Sequence, residues 1–317
     1  MTKEALTPFD AIRRMASDII LNSTDLLVIH SDVVANQLKQ KLEEFRGQRT
    51  ANPLSVSNIS AENELGLALF FNAANFCYRD PASGRDYLYT SRDGRQLRRT
   101  SAFFTALVEF GLEWNQIGLV TQLSAEQWRK MLQLEEPNVF YLGMERCESI
   151  TGLARYLSNK GFKTVMAFVT SSHYEVGNLI PPLMDSGFFK DEFLKRAQVA
   201  VKMLDTVLTS RLGHSLAGMD LLTCMADYRI PQVFYNLGAV ELAPGLRTHL
   251  ESGLPVLSES REEMALRATV IVIGRQLAEL MSINEAEADT LLWEYSQVMD
   301  RSGQMKIPHM LVATDKY

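Results

Sequence analysis

The sequence predicts a mainly α-helical protein with one small β-hairpin, on three observations. Apolar residues recur at spacings of three and four along much of the chain. Two segments open with residues that cap helices. The clearest strand-forming runs lie where an Asp-Gly turn separates them.

Taken in order, apolar periodicity predicts helices over Phe9 to Ile20, Ser31 to Phe45 and Ala61 to Cys77. Tyr87-Leu88-Tyr89-Thr90 and Arg95 to Arg98 flank Ser91-Arg92-Asp93-Gly94, the signature of a tight hairpin. Ser101 to Phe110 reads as helix, as does the amphipathic run to Leu134 that follows Ser124, with Gln127 completing a capping box. A helix over Glu145 to Leu157 comes next. From Phe193, the residues Ala197, Val201, Leu204, Leu208 and Leu212 draw one apolar stripe, with Lys195, Arg196 and Lys202 off it. Pro181-Pro182, Pro231, Pro244-Gly245 and Gly253 to Pro255 read as local breaks. Val270 to Ile273 is β-branched, yet helix formers on both sides make it a buried part of a helix from Glu262 to Met281. Ser282 with Glu285 repeats the capping-box pattern ahead of a helix ending near Met299. No flexible linker, repeat or low-complexity tract interrupts the chain, so residues 1–317 are expected to form a single domain.

Composition excludes several classes. With 46% hydrophobic and 22% charged residues the chain can fill a core and is not disordered. Its formal charge of -6 has the wrong sign for coating nucleic acid. The longest uncharged stretch, Leu65 to Tyr78, has 14 residues, short of the roughly 20 a spanning helix needs. The N-terminus mixes acids with bases and lacks the apolar region of a signal peptide, which implies a cytosolic location. Cys77, Cys147 and Cys224 form no CxxC pair and read as reduced core residues. The five histidines are scattered without HExxH spacing, so no metal is expected. Phosphate-loop, GxGxxG and GxSxG signatures are absent.

The most unusual segment is Cys224-Met225-Ala226-Asp227-Tyr228-Arg229-Ile230-Pro231-Gln232-Val233. Asp227 stands beside an aromatic and an arginine, just before a proline suited to the first turn of a helix. One reading makes Asp227 a helix cap. The other makes it a partly buried carboxylate aimed at a ligand, able to stabilise a cation developing at an anomeric carbon or to orient attacking water.

Met225 to Val240, MADYRIPQVFYNLGAV, resembles the hallmark segment of the queuosine salvage glycosidase family. Further blocks occur in the family's order: Asn75-Phe76-Cys77-Tyr78, Glu145-Arg146, Leu194 to Gln198, Glu263 with Arg267, Leu292 to Tyr295, and Lys306-Ile307-Pro308 with Tyr317. The resemblance implies a helical fold related to helix-hairpin-helix DNA glycosylases. It also implies a hydrolase that needs no cofactor or metal and releases queuine from queuosine 5'-phosphate. It makes Asp227 the catalytic carboxylate and Lys195 a cation near the 5'-phosphate. It offers Phe76, Tyr78, Tyr228 and Trp293 as walls for the 7-deazaguanine ring, Asn75 and Gln232 as readers of its polar edges, and Arg229 as a further contact. Read alone, the aromatics are ordinary core, Lys195 is a solvated lysine, and the amides satisfy backbone groups. The chain departs from the family pattern at Asn72, Arg79, Arg98 to Ser101 and Glu294.

Two other readings stay open. The protein could bind a nucleotide on this fold without turnover. It could also be a nucleic-acid base glycosylase, for which Arg92, Arg95, Arg98 and Arg99 would supply the basic track. The expected partner is a small nucleotide, with no membrane and no stable nucleic-acid complex; oligomeric state is left open.

Overall fold

The structure is a computed structural model that describes residues 6–46, 58–135 and 140–317. The described chain is mainly helical. Helix α1 (Pro8–Leu21) starts where the Thr7 hydroxyl accepts the Asp10 N–H at 3.1 Å, and it buries Phe9, Ile12 and Ala16. Strand β1 (Leu27–Ile29) follows. The helix predicted from Ser31 is present but changes pitch: α2 (Ser31–Val33) runs through a π-helical turn, Val34–Leu38, into α3 (Lys39–Arg46).

Helix α4 (Ala61–Ala73) is capped by Ser60 and buried from Asn63 through Ala73, so it lacks a polar face. It stops short of the predicted Cys77, because the guanidinium groups of Arg146 and Arg196 take the carbonyls of Ala73, Ala74, Phe76 and Cys77. The hairpin is where the sequence places it: β2 (Leu88–Thr90) pairs antiparallel with β3 (Gln96–Arg98), and Gly94 takes φ 81° in the turn. Next come α5 (Arg99–Phe110), α6 (Ile117–Thr121) and α7 (Ala125–Met131). The predicted capping box opens α7: Ser124 accepts the Gln127 N–H at 3.2 Å and Gln127 accepts the Ser124 N–H at 2.9 Å.

Helices α8 (Gly143–Asn159), α9 (Val165–Ser171) and α10 (Val176–Asp185) follow. Pro181 and Pro182 lie inside α10, where the sequence reads a break. Neither proline has an N–H to give the carbonyls four residues earlier, those of Gly177 and Asn178, and both of these residues are exposed, where water can serve instead. Helix α11 (Lys195–Val207) continues through a π turn, Leu208–Leu212. Its packing along α4 buries Arg196 and Gln198, which the single-stripe reading leaves outside the core.

A 3-10 turn, Met219–Leu221, precedes α12 (Ile230–Asn236), whose first turn carries Pro231 as the sequence suggests. Strand β4 (Val240–Leu242) pairs antiparallel with β1, Leu27 opposite Leu242. Its partner is too far along the chain for any hairpin signal. Pro244 opens α13 (Pro244–Glu251) rather than only marking a break. Helix α14 (Arg261–Met281) contains Val270 to Ile273, as expected, and α15 (Glu285–Arg301) follows. The cap of α15 is Asn284, which accepts the Glu287 N–H at 2.8 Å; Ser282 instead ends α14 in the left-handed region at φ 54°.

Contacts divide the chain into two compact units. The first comprises Met1–Ala51 and Asp220–Ala313, with α14 packed on α1, α12 and α15. The second comprises Asn52–Met219 and Thr314–Tyr317, built around α4, against which α5, α8, α9 and α11 pack. Among the described residues no helix is long and apolar enough to cross a membrane.

Candidate active site

Asp227 lies half-buried in the irregular segment between the 3-10 turn and α12. It does not cap α12, whose N-cap residue is Arg229 and has no side-chain cap bond. Its Oδ1 instead accepts the Arg229 N–H at 2.6 Å, a tight local turn. The segment on either side is fixed by partners from α14 and α15. Asp289 Oδ1 accepts the Met225 N–H at 3.0 Å, and Arg267 Nε donates to the Ala226 carbonyl at 2.8 Å. Cys224 Sγ lies 3.2 Å from the Glu285 carbonyl. Gly274 lets α14 come this close: a Cβ there would meet the Cys224 sulfur and lie 2.8 Å from its Cβ. Arg267 is itself paired with Glu263 one turn away at 3.4 Å, both side chains almost wholly buried.

The neighbours of Asp227 divide into engaged and partly exposed groups. Tyr228 makes an edge contact with His309, ring centroids 5.2 Å apart. Arg229 Nη2 donates to Asp300 at 2.6 Å, while its buried Nε has no partner. Gln232 is buried and its amide nitrogen donates to the Ile307 and Pro308 carbonyls at 3.0 and 2.5 Å. Those bonds use both of its N–H groups, so the backbone-satisfying reading describes this nitrogen. Trp293 is half-buried on α15.

In the other unit, Asn75, Phe76 and Tyr78 share the loop that follows α4. Asn72, fully buried, donates to the Ala68 carbonyl at 2.8 Å and accepts from Asn75 Nδ2 at 3.0 Å; Asn75 Oδ1 accepts from the Tyr78 hydroxyl at 2.7 Å. Because a carbonyl can only accept, Ala68 sets the direction of this chain and with it the orientation of the Asn75 amide. Burial drives the Tyr78 phenol well above its ordinary range, so it stays neutral and can donate. The guanidiniums of Arg146 and Arg196 lie over the Phe76 ring, 4.2 and 5.0 Å from its centroid. Lys195 is half-buried at the start of α11, its backbone N–H held by Asp191 at 2.8 Å. Arg79, a departure from the family pattern, is ion-paired with Asp86 at 2.8 Å.

The structure thus gathers Asp227, Tyr228, Arg229, Gln232 and Trp293 in one unit, and Asn75, Phe76, Tyr78 and Lys195 in the other. Sequence reasoning gave no role to the residues that hold these segments in place: Arg267, Glu263, Asp289, Arg146 and Arg196. A signal did exist for one pair, since Glu263 and Arg267 are opposite charges one helical turn apart. A braced, half-buried carboxylate is suited to stabilising a developing cation, because no reorganisation is needed as the charge appears. Among the described residues no group of three or more His, Cys, Asp or Glu side chains is arranged to hold a metal ion.

Comparison with known proteins identifies relatives of the whole chain. The family model described as queuosine salvage protein matches residues 57–314. A mouse protein named queuosine 5'-phosphate N-glycosylase/hydrolase is 23% identical, over 92% of this chain and 93% of its own length. A protein of the same name from Sphaerobacter thermophilus is 29% identical over 38% of this chain and 40% of its own length. One from Bos taurus is 30% identical over 36% of this chain and 37% of its own. The family model covers well over half of the chain, which belongs to the queuosine salvage protein family.

Proposed function

We propose that this protein hydrolyses the N-glycosidic bond of queuosine 5'-phosphate, or a close 7-deazapurine nucleotide, to give queuine and ribose 5-phosphate. The observation that carries the reading is Asp227: a half-buried carboxylate on a segment whose backbone is tied to α14 and α15, within the span matched by the family. As the bond to the base lengthens, positive charge grows at the anomeric carbon and ring oxygen. Asp227 stabilises that charge and takes a proton from the incoming water. The hydroxyl goes to the anomeric carbon, and the base leaves with the bond's electron pair and gains a proton.

In this reading Lys195 binds the 5'-phosphate as a point charge. Tyr78, Tyr228 and Trp293 offer faces to the base, and Asn75 its fixed amide. Arg229 contributes its unpartnered Nε–H, Gln232 its carbonyl oxygen, and Phe76 supports the loop between two guanidiniums. The reaction runs in the cytosol on a free nucleotide. A polynucleotide substrate is disfavoured because the arginines offered for a basic track are largely engaged. Arg92 donates to the Glu109 carbonyl, Arg95 pairs with Asp93 at 2.7 Å and Arg99 with Asp86 at 2.8 Å.

The test is to incubate purified protein with queuosine 5'-phosphate and follow products by chromatography. Equal amounts of queuine and ribose 5-phosphate are expected. Binding without base release would favour the non-catalytic reading and refute this one.

A further inference from the structure

The last carbonyl of α4, the Phe76 ring in the loop that carries Asn75 and Tyr78, and the segment 314–317 all meet one side chain. Arg196 Nε donates to the Lys316 carbonyl at 2.8 Å, Nη2 to the Asp315 carbonyl at 2.8 Å, and Nη1 to the Ala73 carbonyl. The Thr314 backbone hydrogen-bonds the Cys77 thiol, and the Lys316 N–H returns to Thr314 Oγ1 at 3.1 Å. Tyr317 is almost wholly buried. Arg146 holds the same loop through the carbonyls of Ala74, Phe76 and Cys77.

A guanidinium presents its donors in one plane at fixed angles, so three carbonyls from two separate segments lock those segments together. Arg196 is only 3% exposed, and burial lowers its pKa to about 10, which leaves it protonated at neutral pH. Stripping away segment 314–317 would leave two of its donor groups without these partners, and a buried charged donor left unpaired forces rearrangement. The Ala73 carbonyl and the Phe76 ring, both in contact with Arg196, would move with it.

We propose that Arg196 is a positioning residue and that segment 314–317 is a strap, which together hold the loop Asn75–Tyr78 in the geometry that receives the base. The inference rests on reading Asn75 and Tyr78 as base contacts, and its test separates the two ideas. Two variants are made in the full protein, one ending at Ala313 and the other Arg196→Lys, whose ammonium lacks the planar fork. Hydrogen exchange is measured on peptides covering residues 74–78, α4 and α11, together with inhibition by queuine and by ribose 5-phosphate.

The loop amides should exchange about tenfold faster or more while the centres of α4 and α11 stay protected. The inhibition constant for queuine should rise about tenfold, and that for ribose 5-phosphate should change less than about twofold. Unchanged loop exchange in either folded variant overturns the proposal. So does a uniform loosening of unit and ligands alike, which would assign Arg196 to general folding. If the shortened chain does not fold, Arg196→Lys carries the decision. A wild type that hydrolyses nothing refutes the assigned activity; loosening confined to residues 74–78 would still support the strap, and an unchanged loop would still overturn it.

Discussion

Replacing Arg267 by methionine separates what holds the Asp227 segment from what the segment does. The side chains of Arg267 and Glu263 are 1% and 0% exposed and lie 3.4 Å apart. Methionine keeps most of the volume but leaves the Glu263 carboxylate buried, with the Glu259 N–H at 3.2 Å as a remaining donor. Removing one member of such a pair costs about 3–5 kcal/mol. Loss of the 2.8 Å bond to the Ala226 carbonyl adds roughly 1–3 kcal/mol if that oxygen stays dry. Against a total stability of about 5–15 kcal/mol, the single variant should melt ~10 °C or more below wild type, at roughly 2–4 °C per kcal/mol.

The double variant Glu263→Gln, Arg267→Met removes the stranded charge and should recover most of that loss. Its Ala226 carbonyl still lacks the guanidinium, so kcat should remain depressed roughly tenfold to 100-fold through misplacement of Asp227. Calorimetry and steady-state kinetics on the two variants give both numbers. A single variant melting within about 1 °C of wild type, or a double variant as unstable as the single, would refute the reasoning.

Gly274→Ala should lower stability by about 1–3 kcal/mol and reduce kcat, because the new methyl meets Cys224 at the start of the same segment; denaturant unfolding and initial rates check this. Lys195→Ala should raise KM for queuosine 5'-phosphate about tenfold or more, the loss of a charge-assisted contact, while leaving KM for queuosine nucleoside nearly unchanged. Burial raises the Asp86 carboxyl pKa, but hydrogen bonds and charges from Arg79 and Arg99 outweigh it and hold the group below its ordinary 3.8. Asp86 therefore contributes stability above its unfolded value that is lost as pH falls through the lowered one. Asp86→Asn should lower the melting temperature at neutral pH and flatten the acid-side decline below about pH 4, as read by melts across pH.

What the sequence made legible is local. The Ser124 capping box, the hairpin around Gly94 and the helical course of Val270 to Ile273 rest on residues within a few positions of one another, where spacing carries the information. The errors arise where distant groups decide. α4 ends at Ala73, where arginines from α11 and α8 take the carbonyl of Ala73 and those that follow it, a fact absent from residues 61–77 themselves. Arg196 reads as polar surface on a helical wheel and is buried because α4 lies against it. Ser282 fits a cap pattern, but it closes α14 in the left-handed region, and the cap of α15 falls two residues later at Asn284.

The candidate site divides the same way. Asp227 stood out as a carboxylate in an apolar setting before a proline. Its supports did not: the Ala226 carbonyl and Arg267 are 41 residues apart, and the Met225 amide and Asp289 are 64 apart.

The central claim is that Asp227 carries the chemistry, and the rate of queuine release by Asp227→Asn at saturating queuosine 5'-phosphate tests it most directly. Asparagine keeps the shape and can still accept the Arg229 N–H, but it cannot stabilise the cation by charge or take water's proton. We predict a kcat lower by about 100-fold or more with the fold and substrate binding retained. A variant that releases queuine at the wild-type rate would contradict the account.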